Sequence, residues 1–230
     1  MIKRCVFNDA AAVAHALAQS IQKAFKEAES ATTPHAVMLA GGRTPKAAYQ
    51  LVAESACTIP SAMHVMVSDE RWVPLDHPDS NYFMMSPFMQ SVGCPLDKRI
   101  MVNTTLPREE AASDFGRRLE AFFQNGGELD TCYLGLGSDG HTASLFSDKH
   151  LSMCEGKSAI SVDRPDGRIG ISATPSIIQK AKRIVFVVTG KDKQTMADRL
   201  LKKPLETIAG KVVFRHPNVE LWMDREAVVV

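Results

Sequence analysis

The chain has 230 residues, enough for one large domain or two small ones, and its 45% hydrophobic and 23% charged residues are an ordinary soluble, globular balance. Its 27 basic and 26 acidic side chains leave a formal net charge of +1, which argues against nucleic acid or an anionic membrane as the main partner, so any anion must be held locally. Five scattered cysteines without a Cys-x-x-Cys pair point away from a disulfide framework or zinc site and toward a reducing cytoplasm, and no segment reads as a signal peptide or a membrane span.

In chain order, residues 1–5 lead into a short strand, and Val13, Leu17, Ile21 and Phe25 then recur at fourfold spacing behind Asn8 or Asp9 as N-cap, which predicts an amphipathic helix. Short apolar runs at 36–40, 64–67, 131–136, 184–188 and 219–223 read as strands covered on both faces. Helices are predicted between them over 45–56, 81–89, 108–123, 175–181 and 191–201, and the stretch Asp163-Arg164-Pro165-Asp166-Gly167 as a turn joining two strands. This βαβ alternation predicts a doubly wound α/β fold, a largely parallel sheet with helices on both faces in three layers. No linker, repeat or low-complexity tract interrupts it, so we read residues 1–230 as one domain.

In such sheets ligands bind beyond the carboxyl ends of the strands, where the loops at 41–44, 68–81 and 137–142 converge. The first is Ala40-Gly41-Gly42-Arg43-Thr44-Pro45, in which two glycines close a strand and a proline opens a helix. Free N–H groups at that helix start make an anion site to which Arg43 and Thr44 add charge and a hydroxyl, although an ordinary strand-to-helix turn has the same pattern. In the second, Ser68-Asp69-Glu70-Arg71 followed by Ser80-Asn81, Asp69 or Glu70 can hold hydroxyls or orient a catalytic group and Arg71 can clamp a phosphate. Asn81 either bonds substrate or caps the following helix, and solvated charges with a capping Ser80 explain much of the same pattern. The third, Gly135-Leu136-Gly137-Ser138-Asp139-Gly140-His141, sets a carboxylate two residues before an imidazole in a glycine turn. An imidazole titrates near pH 6.5 when unperturbed, so His141 is the best candidate for a base that takes a proton and returns it. Arg168, Lys191 and Lys193 are further candidate phosphate ligands, and equally read as solvated cations.

With these residues in view, the chain resembles the 6-phosphogluconolactonase family, within the broader group of sugar-phosphate isomerases and deaminases. The resemblance rests on Gly41-Gly42-Arg43-Thr44-Pro45, on Ser68-Asp69-Glu70-Arg71 with Ser80-Asn81, and above all on the run from Gly135 through His141 to Thr142-Ala143-Ser144-Leu145-Phe146. Arg168, Gly190 with Lys193, and Leu221-Trp222-Met223-Asp224 add to it, while Ala40 stands where the family commonly has serine and Ser147 where it has proline. The related glucosamine-6-phosphate deaminases follow this histidine with Asn-Glu-Pro, and Leu145-Phe146-Ser147 here lacks that glutamate.

The resemblance implies a phosphorylated sugar lactone as substrate, its phosphate on the amides of Gly41 and Gly42 with Arg43 and Thr44, helped by Arg71, Arg168 and Lys193. It implies His141 as the base for water, with Asp139 or Asp69 behind it and main-chain amides of the 137–142 loop on the oxyanion. It implies neither a metal nor an organic cofactor, and leaves the oligomeric state open. The alternatives are a deaminase-like enzyme and a non-catalytic sugar-phosphate-binding protein.

Overall fold

The computed structural model describes residues 2–229. Strand β1 (Lys3–Phe7) leads into α1 (Ala10–Ala28), where the Asp9 side chain accepts from the Ala12 N–H at 2.8 Å and so satisfies one orphan donor of the first turn. Val13, Leu17, Ile21 and Phe25 are all buried, as their fourfold spacing predicts. The chain continues through β2 (His35–Leu39), α2 (Arg43–Ala53), β3 (Met63–Val67), β4 (Asp69–Arg71), α3 (Asn81–Ser91), β5 (Arg99–Ile100), α4 (Arg108–Gln124) and β6 (Glu128–Gly135). It ends through α5 (Asp148–Met153), β7 (Ala159–Asp163), β8 (Ile169–Ala173), α6 (Pro175–Ile178), β9 (Arg183–Val188), α7 (Gln194–Lys202), α8 (Ile208–Val212) and β10 (Val219–Asp224).

Seven strands form one sheet in the order β1-β10-β9-β6-β2-β3-β5, every neighbouring pair parallel, with helices on both faces in the expected three layers. The valine- and methionine-rich strands β2, β3 and β9 are buried almost throughout, as strands covered on both sides must be. From β2 the chain winds outward through β3 to β5, and from β6 it winds the other way through β9 to β10. The order therefore reverses between the adjacent strands β2 and β6, and the two glycine loops that follow them meet at that switch point.

Besides β5, α5 and α8, which lie where no element is predicted, the structure departs from the sequence pattern in two places. Residues 68–71, expected as loop, include β4, which pairs antiparallel with β8, itself hairpinned to β7, in a second, three-stranded sheet. Three consecutive polar residues carry no apolar alternation, so only the partner strand makes them a strand. The other departure is in helix length. Helix α6 stops at Ile178, and a 3₁₀ turn over 191–193 precedes α7, so two expected helices are shorter than their polar flanks suggest.

Candidate active site

The carboxyl ends of the strands enclose a cavity of about 770 Å³. Gly41, Gly42, Arg43, Thr44, Arg71, Asn81, His141 and Lys193 all line it, so loops as far apart in sequence as Gly41 and Lys193 contribute to one surface. Gly42 takes a φ of 121°, a conformation that an L side chain resists, and there it opens α2 as the residue before Arg43. The Thr44 hydroxyl meets that of Thr189 at 2.6 Å, which ties this loop to the end of β9.

At the end of β6 the His141 Nδ1 lies 2.5 Å from Asp139 Oδ1, and the His141 N–H donates to the same oxygen at 3.2 Å. A carboxylate can only accept, so Nδ1 carries the proton and Nε2 is left as the basic atom. Burial pushes the Asp139 carboxyl up, but the bonds from the His141 ring and main chain outweigh it and hold the group below its ordinary value. A Cβ at Gly137 would overlap both the His141 ring and Asp139, so the pair packs against glycine because nothing larger fits. The turn is closed from within: Gly137 N–H donates to the His141 carbonyl at 2.9 Å and Gly140 N–H to the Gly137 carbonyl at 3.0 Å. With the His141 N–H on Asp139, three of the amides expected to face an oxyanion are already spent.

Asp69, the other acid considered for His141, is buried elsewhere in the lining: its Oδ1 accepts from Ser68 at 2.9 Å and its Oδ2 from Ser144 at 2.7 Å. Glu70 is not free for a ligand either. Its two oxygens accept from the N–H groups of Arg71 at 2.8 Å, Asn81 at 2.7 Å and Tyr82 at 2.7 Å, and from the Ser80 hydroxyl at 3.1 Å. It thus fixes the start of α3, where Ser80 is the N-cap, and burial raises its carboxyl above the ordinary value against those three amides. Asn81 donates to the Asp69 carbonyl at 2.7 Å and accepts from Arg71 Nη1, which aims the guanidinium; the buried Arg71 Nε has no protein partner.

Arg168 falls outside the lining, its guanidinium 3.0 Å from Asp79. The arginine that the β7–β8 turn sends into the cavity wall is Arg164, only 11% exposed. The residues Asp163 to Gly167 predict only a turn, and spacing offers no way to choose between Arg164 and Arg168. Asp224 was also unread as a site residue: it is buried, and both its oxygens accept from the Gly190 N–H at 3.1 Å, which holds the loop carrying Lys193. Among the described residues one His/carboxylate trio is close enough to hold a metal, His35 with Glu128 and Asp130, at the far edge of the sheet, where Lys182 already bonds both acids. No helix among these residues is long and apolar enough to cross a membrane.

A family model described as glucosamine-6-phosphate isomerases/6-phosphogluconolactonase matches residues 8–219. The chain belongs to this family. A 6-phosphogluconolactonase of Synechocystis sp. is 33% identical to it over 199 residues, which cover 83% of this chain and 82% of that one. Among solved structures, the devB protein superposes with a TM-score of 0.85 at 26% identity, over 99% of this chain and 98% of that one. A monomeric glucosamine-6-phosphate deaminase superposes with a TM-score of 0.81 at 18% identity, over 98% of each chain, so the family fold is common to lactonases and deaminases and the side chains must separate them.

Proposed function

We propose that this chain hydrolyses 6-phospho-D-glucono-1,5-lactone to 6-phosphogluconate, in the oxidative pentose phosphate pathway. The observation that carries the reading is His141, paired through Nδ1 with Asp139 and presenting Nε2, in the wall of a cavity that also holds the Gly41–Thr44 loop and the cations Arg43, Arg71 and Lys193. The substrate phosphate would sit on the amides of Gly41 and Gly42 with Arg43 and Thr44, while Arg71, aimed by Asn81, and Lys193 add charge. Arg168, paired with Asp79, is not counted among these anchors. Binding the remote phosphate orients C1 toward His141, so positioning lowers the barrier without covalent catalysis.

His141 Nε2 takes a proton from water as that water attacks the C1 carbonyl. The imidazolium, stabilised by Asp139, then returns the proton to the ring oxygen as the tetrahedral intermediate collapses and the C1–O bond breaks. The oxyanion falls to donors other than the amides of Gly137, Gly140 and His141. The five cysteines are all unpaired, which fits a reducing cytoplasm as the site of action.

The deaminase reading is disfavoured at one place. Where that chemistry needs a further carboxylate, Leu145 is fully buried and Phe146 packs on the His141 ring at 4.3 Å between centroids. The deciding experiment follows acid release from freshly generated lactone beside an enzyme-free control for spontaneous opening. Wild type should accelerate opening, and His141→Ala should lose about 10²–10⁴-fold with unchanged melting temperature. A folded wild type that leaves the spontaneous rate unchanged, or that releases ammonia from glucosamine 6-phosphate, would overturn the assignment.

A further inference from the structure

Asp139 holds the His141 ring at Nδ1, and the absence of a side chain at Gly137 gives the ring its room on one side. Rotation about the Cα–Cβ bond carries Nε2, at the outer end of the ring, further than Nδ1, so contacts on the ring as well as the bond at Nδ1 set where Nε2 lies. Among the described residues one aromatic ring lies against this imidazole, that of Phe146, at 4.3 Å between centroids and 39° between planes. Phe146 is itself held by two groups. His150 meets it edge-on at 6.0 Å and accepts its main-chain N–H at 3.2 Å, and the guanidinium of Arg164 lies over its ring, 5.1 Å from the centroid.

Arg164 is unusual for a residue in a hairpin turn. Its carbonyl accepts from the Gly167 N–H at 3.0 Å and its own N–H donates to Arg168 at 2.8 Å, which makes a tight connection where side chains normally point to solvent. Yet its side chain is 11% exposed. Nη1 donates to the Ser144 hydroxyl at 2.9 Å, Ser144 donates onward to Asp69 at 2.7 Å, and Nε approaches Asp166 at 3.3 Å. One guanidinium thus grips the segment after His141 twice, at Ser144 by a hydrogen bond and at Phe146 through the ring. Between these contacts and His141 lies Ala143, at a φ of 49° that L residues seldom adopt, so the segment is not one that local preference alone would hold. The small sheet of β4, β8 and β7 supplies both ends of this brace, Asp69 from β4 and Arg164 from the β7–β8 turn.

We propose that Arg164 is a positioning residue for His141, acting through Phe146 and Ser144 to fix where Nε2 meets water. The inference rests on the reading of His141 as the base. It also gives Asp69 a task at the site without any contact to the imidazole, since Asp69 anchors the hydroxyl that Arg164 holds. The competing role for a cation in this wall is direct contact with the substrate phosphate, and the two make opposite kinetic demands: a positioning residue changes kcat, a phosphate ligand changes KM.

The test compares Arg164→Met, Arg164→Lys, Phe146→Leu and the double variant Arg164→Met/Phe146→Leu in the whole chain, measuring kcat and KM for freshly generated lactone. The ring C–H signals of His141 are followed in parallel by NMR. A misplaced base costs on the order of 10–100-fold, so kcat should fall by that factor in Arg164→Met and in Phe146→Leu, with KM changed less than about threefold. The double variant should be no slower than the slower single one, because both changes break the same brace, and Arg164→Lys should recover most of the loss. The His141 signals should lose the Phe146 ring-current shift in Phe146→Leu and move the same way in Arg164→Met. A rise in KM with kcat preserved would make Arg164 a substrate ligand, and additive losses or unmoved His141 signals would remove the coupling. If wild type fails to open the lactone at all, the parent reading falls while the NMR comparison still decides whether Arg164 sets the His141 ring.

Discussion

The two edges of the seven-stranded sheet are both rich in charge and handle it in opposite ways. At the amino edge the charges are spent on one another: Arg183, the first residue of β9, bonds both oxygens of Glu220 at 2.9 and 3.1 Å, and Trp222 Nε1 donates to the same carboxylate at 2.7 Å. Beside it Lys182 bonds Glu128 and Asp130, and His35 Nδ1 meets Asp130 at 2.8 Å. At the carboxyl edge the Arg71 guanidinium is held by an amide oxygen, not a carboxylate, and lines an open cavity together with Arg43 and with Lys193, whose Nζ lies 3.6 Å from Asp192. Charge density alone therefore does not mark a site. What marks it is a donor such as Arg71, whose orientation is fixed by a neutral group and whose charge is left unneutralised, because such a donor keeps an interaction to give a ligand.

This contrast is sharpened most by a change at the carboxyl edge that spares the fold. Asp139→Asn keeps an acceptor for His141 Nδ1 but removes the charge that stabilises the imidazolium, and we expect kcat for lactone opening to fall about 10²-fold with KM nearly unchanged. The loss should stop short of the roughly 10⁴-fold seen for fully buried triads, because the Asp139 side chain is 53% exposed and water replaces part of its field. On the common scale of about 1.4 kcal/mol per factor of ten this is about 3 kcal/mol of barrier. Steady-state rates beside a thermal melt check it, and a melting temperature lowered in proportion to the rate would mean that Asp139 is structural in the way Glu220 is.

The mirror-image change comes next in size. Arg183→Met leaves Glu220, 12% exposed at its side chain, with Trp222 as its strongest remaining donor, and we expect a loss of about 2 kcal/mol of stability with kcat and KM unaltered. It also has a pH signature. Burial pushes the Glu220 carboxyl up, and the Arg183 and Trp222 bonds outweigh it, leaving the group below its ordinary value of 4.5. A lowered carboxyl contributes stability that is complete above 4.5 and is lost as pH falls through the lowered value, so removing Arg183 should shift acid unfolding to higher pH. Circular dichroism against pH reads this directly, and an unshifted acid limb would show that Trp222 alone holds the charge.

Much of this division was legible in the sequence. The apolar runs and the helix periodicities predict the parallel sheet, because strands buried on both faces have to be apolar throughout, and the Gly-x-Gly and Asp-Gly-His patterns announce where the backbone turns tightly around a reactive group. What could not be read depended on partners chosen in three dimensions. Asp69 and Glu70 are neighbours on one polar stretch, yet Asp69 goes to Ser144 and Glu70 to the start of α3, each settled by the pairing of β4 with β8. The two candidate acids for His141 were likewise equivalent on paper, and only the turn at Gly140 brings Asp139 to it.

Arg164 and Arg168 are the same case on the smallest scale, and they yield the smallest expected effect. Both belong to the connection between β7 and β8 and both are basic, but they lie at opposite ends of a turn closed by the Arg164 N–H on the Arg168 carbonyl. One is tucked against Phe146 and Ser144, and the other is 47% exposed at its side chain, with its guanidinium 3.0 Å from Asp79, itself 36% exposed. An ion pair that open to water contributes from nothing to about 1 kcal/mol. Arg168→Ala should therefore change kcat and KM by less than about twofold and leave the melting temperature within a degree or two. A tenfold rise in KM for the lactone, measured beside Arg164→Met, would mean that the guanidinium leaves Asp79 for the substrate phosphate on binding, and that the exposed arginine belongs to the anchors after all.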